Sequence, residues 1–149
     1  MTIYARAEKD IQNILSNSSS SQILHNVVSY LYDHFKNYHW VGIYLLKGKQ
    51  LVLGPWRGVQ ATEHTTIPVG KGICGAAAQT GNTEIVNDVS KDDRYLACFR
   101  STRSEIVVPI KKGGQILGEI DIDSDHPDAF TGEDAAFLEK VADMLSQHI

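Results

Sequence analysis

The sequence holds two cysteines, Cys74 and Cys98, and a run of acidic residues, Glu119, Asp121 and Asp123, spaced two apart. A thiolate is a nucleophile and a metal ligand, and carboxyl groups donate protons or hold cations. Cys74 follows Gly70-Lys71-Gly72-Ile73 and falls at or near the first turn of a short helix, where unpaired N–H groups favour a thiolate. Cys98 has Arg94, Arg100 and Arg103 close in sequence, and cations act in the same direction. For each cysteine the ordinary alternative is a small buried hydrophobe. Zinc is the other use of thiols. Here the cysteines stand 24 residues apart with no CxxC or HxxxH pattern, and beyond His64 no fourth ligand is evident. No metal site is expected from this spacing.

Side chains alternate faces along a strand, so Glu119, Asp121 and Asp123 share one face of Gly118–Ser124 while Ile120 and Ile122 share the other. Like charges in a row on one face lower strand stability. Two readings account for them: a solvated edge face, or a pocket that holds an ammonium group or donates a proton. Glu105, at the start of the partner strand, falls near them. Trp40, Gly42 and Tyr44 likewise share a face and either line an amphipathic pocket beside the glycine gap or belong to the core.

The elements that must position these residues follow from periodicity. Ala7, Ile11, Ile14 and Leu15 form one helical stripe, and Ile23, Leu24, Val27, Val28, Leu31 and Phe35 a second, with Ser20 or Ser21 as the expected cap between them. His39–Leu46 reads as a strand, Lys47–Gln50 as a turn and Leu51–Leu53 as a second strand ended by Gly54-Pro55. Thr66–Pro68 is a short extended piece. A short helix over Ala76–Thr80 ends at Gly81, Glu84–Val86 is a strand, and residues 88–103 form a loop. Glu105–Ile110 and Gln115–Asp123 make a second hairpin. Thr131 and Asp134 open the last helix with a capping box, and Phe137, Leu138, Val141 and Leu145 give its buried face. The order α-α-β-β-β-α-β-β-β-α, with tight turns between adjacent strands, predicts an α+β fold. It has a central antiparallel sheet of about six strands with the terminal helices packed on one face. The loops would cover the other face, which makes it the expected pocket.

Gly70-x-Gly72-x-x-Gly75 matches a dinucleotide fingerprint, with Asp88 lying 18 residues beyond Gly70. The preceding strand ends at Pro68 and the following helix is too short for a parallel crossover, so nicotinamide cofactor binding is not expected. The same glycines and helix start would suit a close backbone approach or an anion.

Composition bounds the rest. With 149 residues, 42% hydrophobic and 21% charged, the chain is expected to fold as a single domain over 1–149. A formal net charge of −4 offers no general attraction to nucleic acid or anionic membrane. The N-terminal residues carry charges and no apolar core of a signal peptide, and no run of apolar residues is long enough to span a membrane, so a cytoplasmic location is expected. In that reducing compartment both cysteines start as thiols.

Six segments in order carry a family resemblance: Trp40-Val41-Gly42-Ile43-Tyr44-Leu45; Leu53-Gly54-Pro55-Trp56-x-Gly58; Ile67-Pro68-x-Gly70-x-Gly72-Ile73-Cys74-Gly75; Ala97-Cys98; Arg103–Pro109; and Asp121-Ile122-Asp123-Ser124. They resemble the free methionine-(R)-sulfoxide reductases, small enzymes made of one GAF domain. The resemblance implies a GAF-like fold and thiol-dependent reduction of free L-methionine (R)-S-oxide to methionine, without metal or organic cofactor. It implies Cys98 as catalytic cysteine, Cys74 as a cysteine of the Gly-rich segment, Glu105, Asp121 and Asp123 as acidic pocket residues that bind substrate and donate the proton, and Trp40 as the aromatic wall. A Cys98 sulfenic acid would become a disulfide recycled by a thioredoxin-like reductant. Glu119 stands where the family usually has an apolar residue and is left out of the implied site. Many family members carry a third, resolving cysteine where this chain has His64, so Cys74 or an external thiol must resolve. A homodimer is compatible with all of this. The alternative is a non-catalytic GAF module that senses a small ligand; against it, the chain ends within its last helix with no output domain.

Overall fold

The structure is a computed structural model that describes residues 1–96 and 101–149. Among these residues four helices and six strands form: α1 (Ile3–Asn17), α2 (Ile23–His34), β1 (Trp40–Lys47), β2 (Gln50–Gly58), β3 (Thr66–Pro68), α3 (Gly72–Thr80), β4 (Glu84–Val86), β5 (Ser104–Lys112), β6 (Gln115–Ser124) and α4 (Gly132–Leu145). The sheet order is β3-β2-β1-β6-β5-β4, and every pairing is antiparallel. The α+β expectation holds. Both sheet edges are strands of three residues, which leaves little backbone open to strand addition.

Period-2 alternation splits the sheet into two faces. Val41 and Ile43 of β1, Ile106, Val108 and Ile110 of β5, and Ile120 and Ile122 of β6 point to one side. There they meet Ala7 and Ile11 of α1, Val27, Val28 and Leu31 of α2, and Phe137, Leu138, Val141 and Leu145 of α4. The terminal helices therefore share one face, as their apolar stripes require. α4 starts at Thr131 with the expected capping box, its side chain and that of Asp134 each bonding the other's backbone N–H.

Three boundaries differ from the sequence reading. β2 does not end at Gly54-Pro55 but continues to Gly58. The register with β1 shifts between Gly42 and Tyr44, opposite Gly54 and Pro55, so a bulge takes up the residue that cannot donate a ladder bond. α2 begins at Ile23 behind Gln22 with no side-chain cap bond, so neither Ser20 nor Ser21 caps it. Its apolar face, held by the sheet, outweighs a missing cap. α3 starts at Gly72, four residues before the expected Ala76, because Gly70 (φ 91°) and Gly72 (φ 69°) make the turn out of β3 in left-handed backbone. This places Cys74 in the first turn of α3.

Candidate active site

The second sheet face carries Trp40 and Tyr44 of β1, Glu105 and Val107 of β5, and Glu119, Asp121 and Asp123 of β6. α3 covers it with Ile73, Cys74 and Ala77, joined by Ile67 of β3. β6 lies between β1 and β5 in the middle of the sheet, so its acidic residues are not on a solvated edge. Glu119 is 0% exposed, Asp121 and Asp123 3% each, and Glu105 5%. The solvated-edge reading of the acidic run is overturned: these carboxyls lie on a buried face.

Register sets the neighbours. Asp123 pairs with Trp40 on one side and with Glu105 on the other; Asp121 faces Gly42 and Val107; Glu119 faces Tyr44 and Pro109. The Trp40 indole lies flat over Gly42 and Gly58, where any Cβ would collide with it. It stacks on Trp56 with ring centroids 6.1 Å apart. Tyr44 Oη donates to the carbonyl oxygen of His64 at 2.7 Å and so anchors the loop before β3. Trp40 and Tyr44 are thus both buried and next to the carboxyl groups, which joins the two sequence readings of that face. His64, at the position of the third family cysteine, is half-buried in this anchored loop.

Cys74 meets this acidic face from above. Its sulfur and one carboxylate oxygen each of Glu105 and Asp121 all lie within 4.8 Å of one another. The expectation that the α3 N-terminus makes Cys74 a ready thiolate is corrected. Burial first, and then the charges of Asp121, Glu119, Glu105 and Asp123, push its thiol well above the ordinary range. A helix end favours an anion by at most about 2 kcal/mol, which burial among carboxylates exceeds. Burial also raises Glu119, Asp121 and Asp123, and for Asp123 the neighbouring Asp121 adds to it. Hydrogen bonds from Glu105 and Cys74 partly offset the rise at Asp121. Burial and like charge thus push Glu119, Asp121 and Asp123 in the direction of holding their protons more tightly.

Two cavities open on this face. One, of about 10 Å³, is lined by Tyr44, Ile73, Cys74, Leu96, Glu105 and Asp121, and is close to the least volume that holds a water. The other, of about 80 Å³, is lined by Tyr32, Trp40, Gln60, Ser101, Thr102 and Asp123 among others. Cys98 lies outside the described residues, so its distance to Cys74 is not part of this geometry. Its chain neighbours Leu96 and Ser101 line the first and second cavity. Of the arginines near it in sequence, Arg94 is already paired with Glu84 and Asp92, and Arg103 is exposed. The Gly-rich turn spends its close approaches on the chain itself. A Cβ on Gly72 would lie 2.8 Å from Leu96, and one on Gly75 would lie 2.7 Å from the Pro68 carbonyl oxygen.

Glu119 is the residue that sequence reasoning left out and the fold brings in. Its place in the alternation of β6 was the available signal. Neither of its carboxylate oxygens has a well-formed hydrogen bond among the described residues, and the weak S–H donor of Cys74 is what steadies its charged form.

The GAF domain family model matches residues 19–149. The free methionine-R-sulfoxide reductase of Escherichia coli is 35% identical over 97% of this chain and 87% of its own length. That of Saccharomyces cerevisiae is 42% identical over 83% of this chain and 72% of its own. The X-ray structure of the Neisseria meningitidis free methionine-R-sulfoxide reductase, in complex with its substrate, superimposes with a TM-score of 0.91 at 34% identity, covering 97% of this chain and 87% of that one. A buried thiol over a row of buried carboxyls on the loop-covered face of such a sheet thus sits in a chain that belongs to the GAF domain family and, within it, to the free methionine-R-sulfoxide reductases.

Proposed function

We propose that this protein, a single GAF unit over residues 1–149, reduces the R epimer of free methionine sulfoxide to methionine with its own two thiols. The observation that carries this reading is the buried set of Glu105, Asp121 and Asp123 beside Cys74 and Trp40. Cys98 attacks the sulfoxide sulfur as the thiolate. A carboxyl of Glu105, Asp121 or Asp123 gives the proton to the departing oxygen, and the products are methionine and a Cys98 sulfenic acid. Burial raises Asp121 and Asp123, the direction that a proton donor needs. In the charged form the same groups attract the substrate's α-ammonium, with Trp40 as the wall against its side chain. Backbone N–H groups at the start of α3 receive its α-carboxylate. A methionine sulfoxide inside a peptide lacks both charges and is rejected.

Cys74 then displaces water from the sulfenic acid and forms a disulfide with Cys98, which a thioredoxin-like dithiol reduces by exchange. Because Cys74 is raised as a thiol, it must pass its proton on as it attacks, and the carboxylate left by the first proton transfer can accept it; Asp121, beside the Cys74 sulfur, is in place for that. The cycle needs a reducing compartment, consistent with a cytoplasmic location; no described helix is long and apolar enough to cross a membrane.

The test is a coupled assay with free methionine-(R)-sulfoxide, thioredoxin and its reductase. Cys98→Ser abolishes even a single turnover, whereas Cys74→Ser completes one turnover and fails to recycle with thioredoxin. Near-normal turnover by Cys98→Ser overturns the scheme.

A further inference from the structure

We propose that Cys74, Glu105 and Asp121 form a buried site for a thiophilic divalent cation, best matched by Zn²⁺, with Glu119 as a further carboxylate at hand. The three donor atoms lie within 4.8 Å of one another. Ligand atoms around one zinc stand roughly 3–4 Å apart, given bonds of about 2.3 Å to sulfur and 2.0–2.2 Å to oxygen, so small side-chain rotations close the shell. All three residues are buried, and so is Glu119, whose two oxygens lack well-formed hydrogen bonds among the described residues. Oδ1 of Asp121 is in the same position. Unpaired buried carboxylate oxygens are costly, and a cation satisfies them where no donor does.

The charge balance points the same way. Among the described residues, the charged groups that act most strongly on Cys74 are the carboxylates of Asp121, Glu119, Glu105 and Asp123. A divalent cation takes the place of the thiol proton and of any protons on the coordinating carboxyls, which leave to solvent, and balances the resulting thiolate and carboxylate charges. The donor set selects the metal. One thiolate with carboxylates suits Zn²⁺ or Cd²⁺, whereas Mg²⁺ and Ca²⁺ require shells of six or more oxygens that this cavity of about 10 Å³ cannot supply. The local spacing that argued against zinc misses this site because its ligands come from α3, β5 and β6. Where the same carboxyls bind the substrate's ammonium, Zn²⁺ and substrate exclude each other. That consequence rests on the proposed function; the binding itself does not.

The experiment uses reduced, chelator-treated Cys98→Ser protein, in which Cys74 is the one remaining thiol. Zn²⁺ is titrated in competition with a chromophoric chelator, and Cd²⁺ in parallel, read by sulfur-to-cadmium charge-transfer absorption. The expected result is one equivalent bound with a cadmium–thiolate band, and affinity at least about tenfold lower after adding Cys74→Ser or Asp121→Asn. Absence of the band, or unchanged zinc affinity in the Cys74→Ser protein, overturns the site. Should Cys98→Ser not fold, the wild-type protein carries the same test, since Cys74→Ser must then remove one equivalent. Adding methionine separates the two readings: zinc displaced by methionine supports both, while zinc that binds without competition upholds the metal site and overturns the shared substrate position.

Discussion

Glu119 shows what one residue does when register forces it inward. It is 0% exposed, faces Tyr44 and Pro109, and its carboxylate oxygens lack well-formed bonds among the described residues. Burial lifts it well above its ordinary range. A carboxyl that holds its proton more tightly when folded stabilises the protein fully below its unfolded value, near 4.3, and that contribution is lost as pH rises toward the folded value. Metal-free Glu119→Leu is therefore expected to be more stable than the parent by about 1–3 kcal/mol at pH 8, with the gain shrinking toward pH 4. Urea unfolding at both pH values checks this. Equal stability at pH 8, or a gain that grows toward acid, contradicts the assignment. Asp121 and Asp123 share the direction of the shift, so some decline with rising pH remains in the variant.

At the scale of elements, the placement of Cys74 depends on how β3 turns into α3. The turn runs through Gly70 and Gly72 in left-handed backbone, and Gly70 N–H donates to the Gly75 carbonyl at 2.8 Å. Gly75 sits so close to β3 that a methyl group would lie 2.7 Å from the Pro68 carbonyl oxygen and 3.0 Å from the Gly70 nitrogen. Both obstacles are backbone and cannot swing aside. Gly75→Ala is expected to cost about 1–3 kcal/mol and to displace α3 from the carboxyl row. A lowered urea midpoint together with faster reaction of Cys74 with a thiol reagent checks it; an unchanged midpoint shows that the turn relaxes freely. The GxGxxG spacing serves a tight packing of helix start on strand.

At the scale of the whole molecule, one sheet separates two tasks. The face under α1, α2 and α4 is predominantly apolar, with the Tyr38–Asp134 hydrogen bond at its margin, and carries stability, while the face under α3 mixes apolar residues with a thiol and carboxyl groups. Leu138→Ala, fully buried in α4, is expected to cost about 2–5 kcal/mol and to leave turnover per folded molecule near the parent value. Calorimetry and the coupled assay on the same sample check the pair. A large fall in turnover with an intact fold indicates that the two faces are coupled through the sheet.

The sequence by itself determined the elements, their antiparallel order and the side of the sheet each strand residue takes. Hydrophobic periods of 3.6 and 2 are local properties, and the strong stripes of α2, α4, β5 and β6 repeat them without conflict. It also placed Asp121 and Asp123 on one face, and the six ordered segments pointed to the family and, through that resemblance, to Trp40 as a wall of the same pocket. Local rules failed where distant chain segments decide. The strand through Gly54-Pro55 survives because a bulge against β1 takes up Pro55. Only the tertiary structure decided that β6 is central and not an edge, and so that its carboxyls are buried and shifted toward the protonated form. Only it brought Cys74 onto those carboxyls, which reverses the sign that the helix end alone gives its thiol. The physical reason is common to both: a proton's affinity for a site depends on dielectric and on neighbouring charge, and both are set by what folds over the residue, not by what precedes it in the chain.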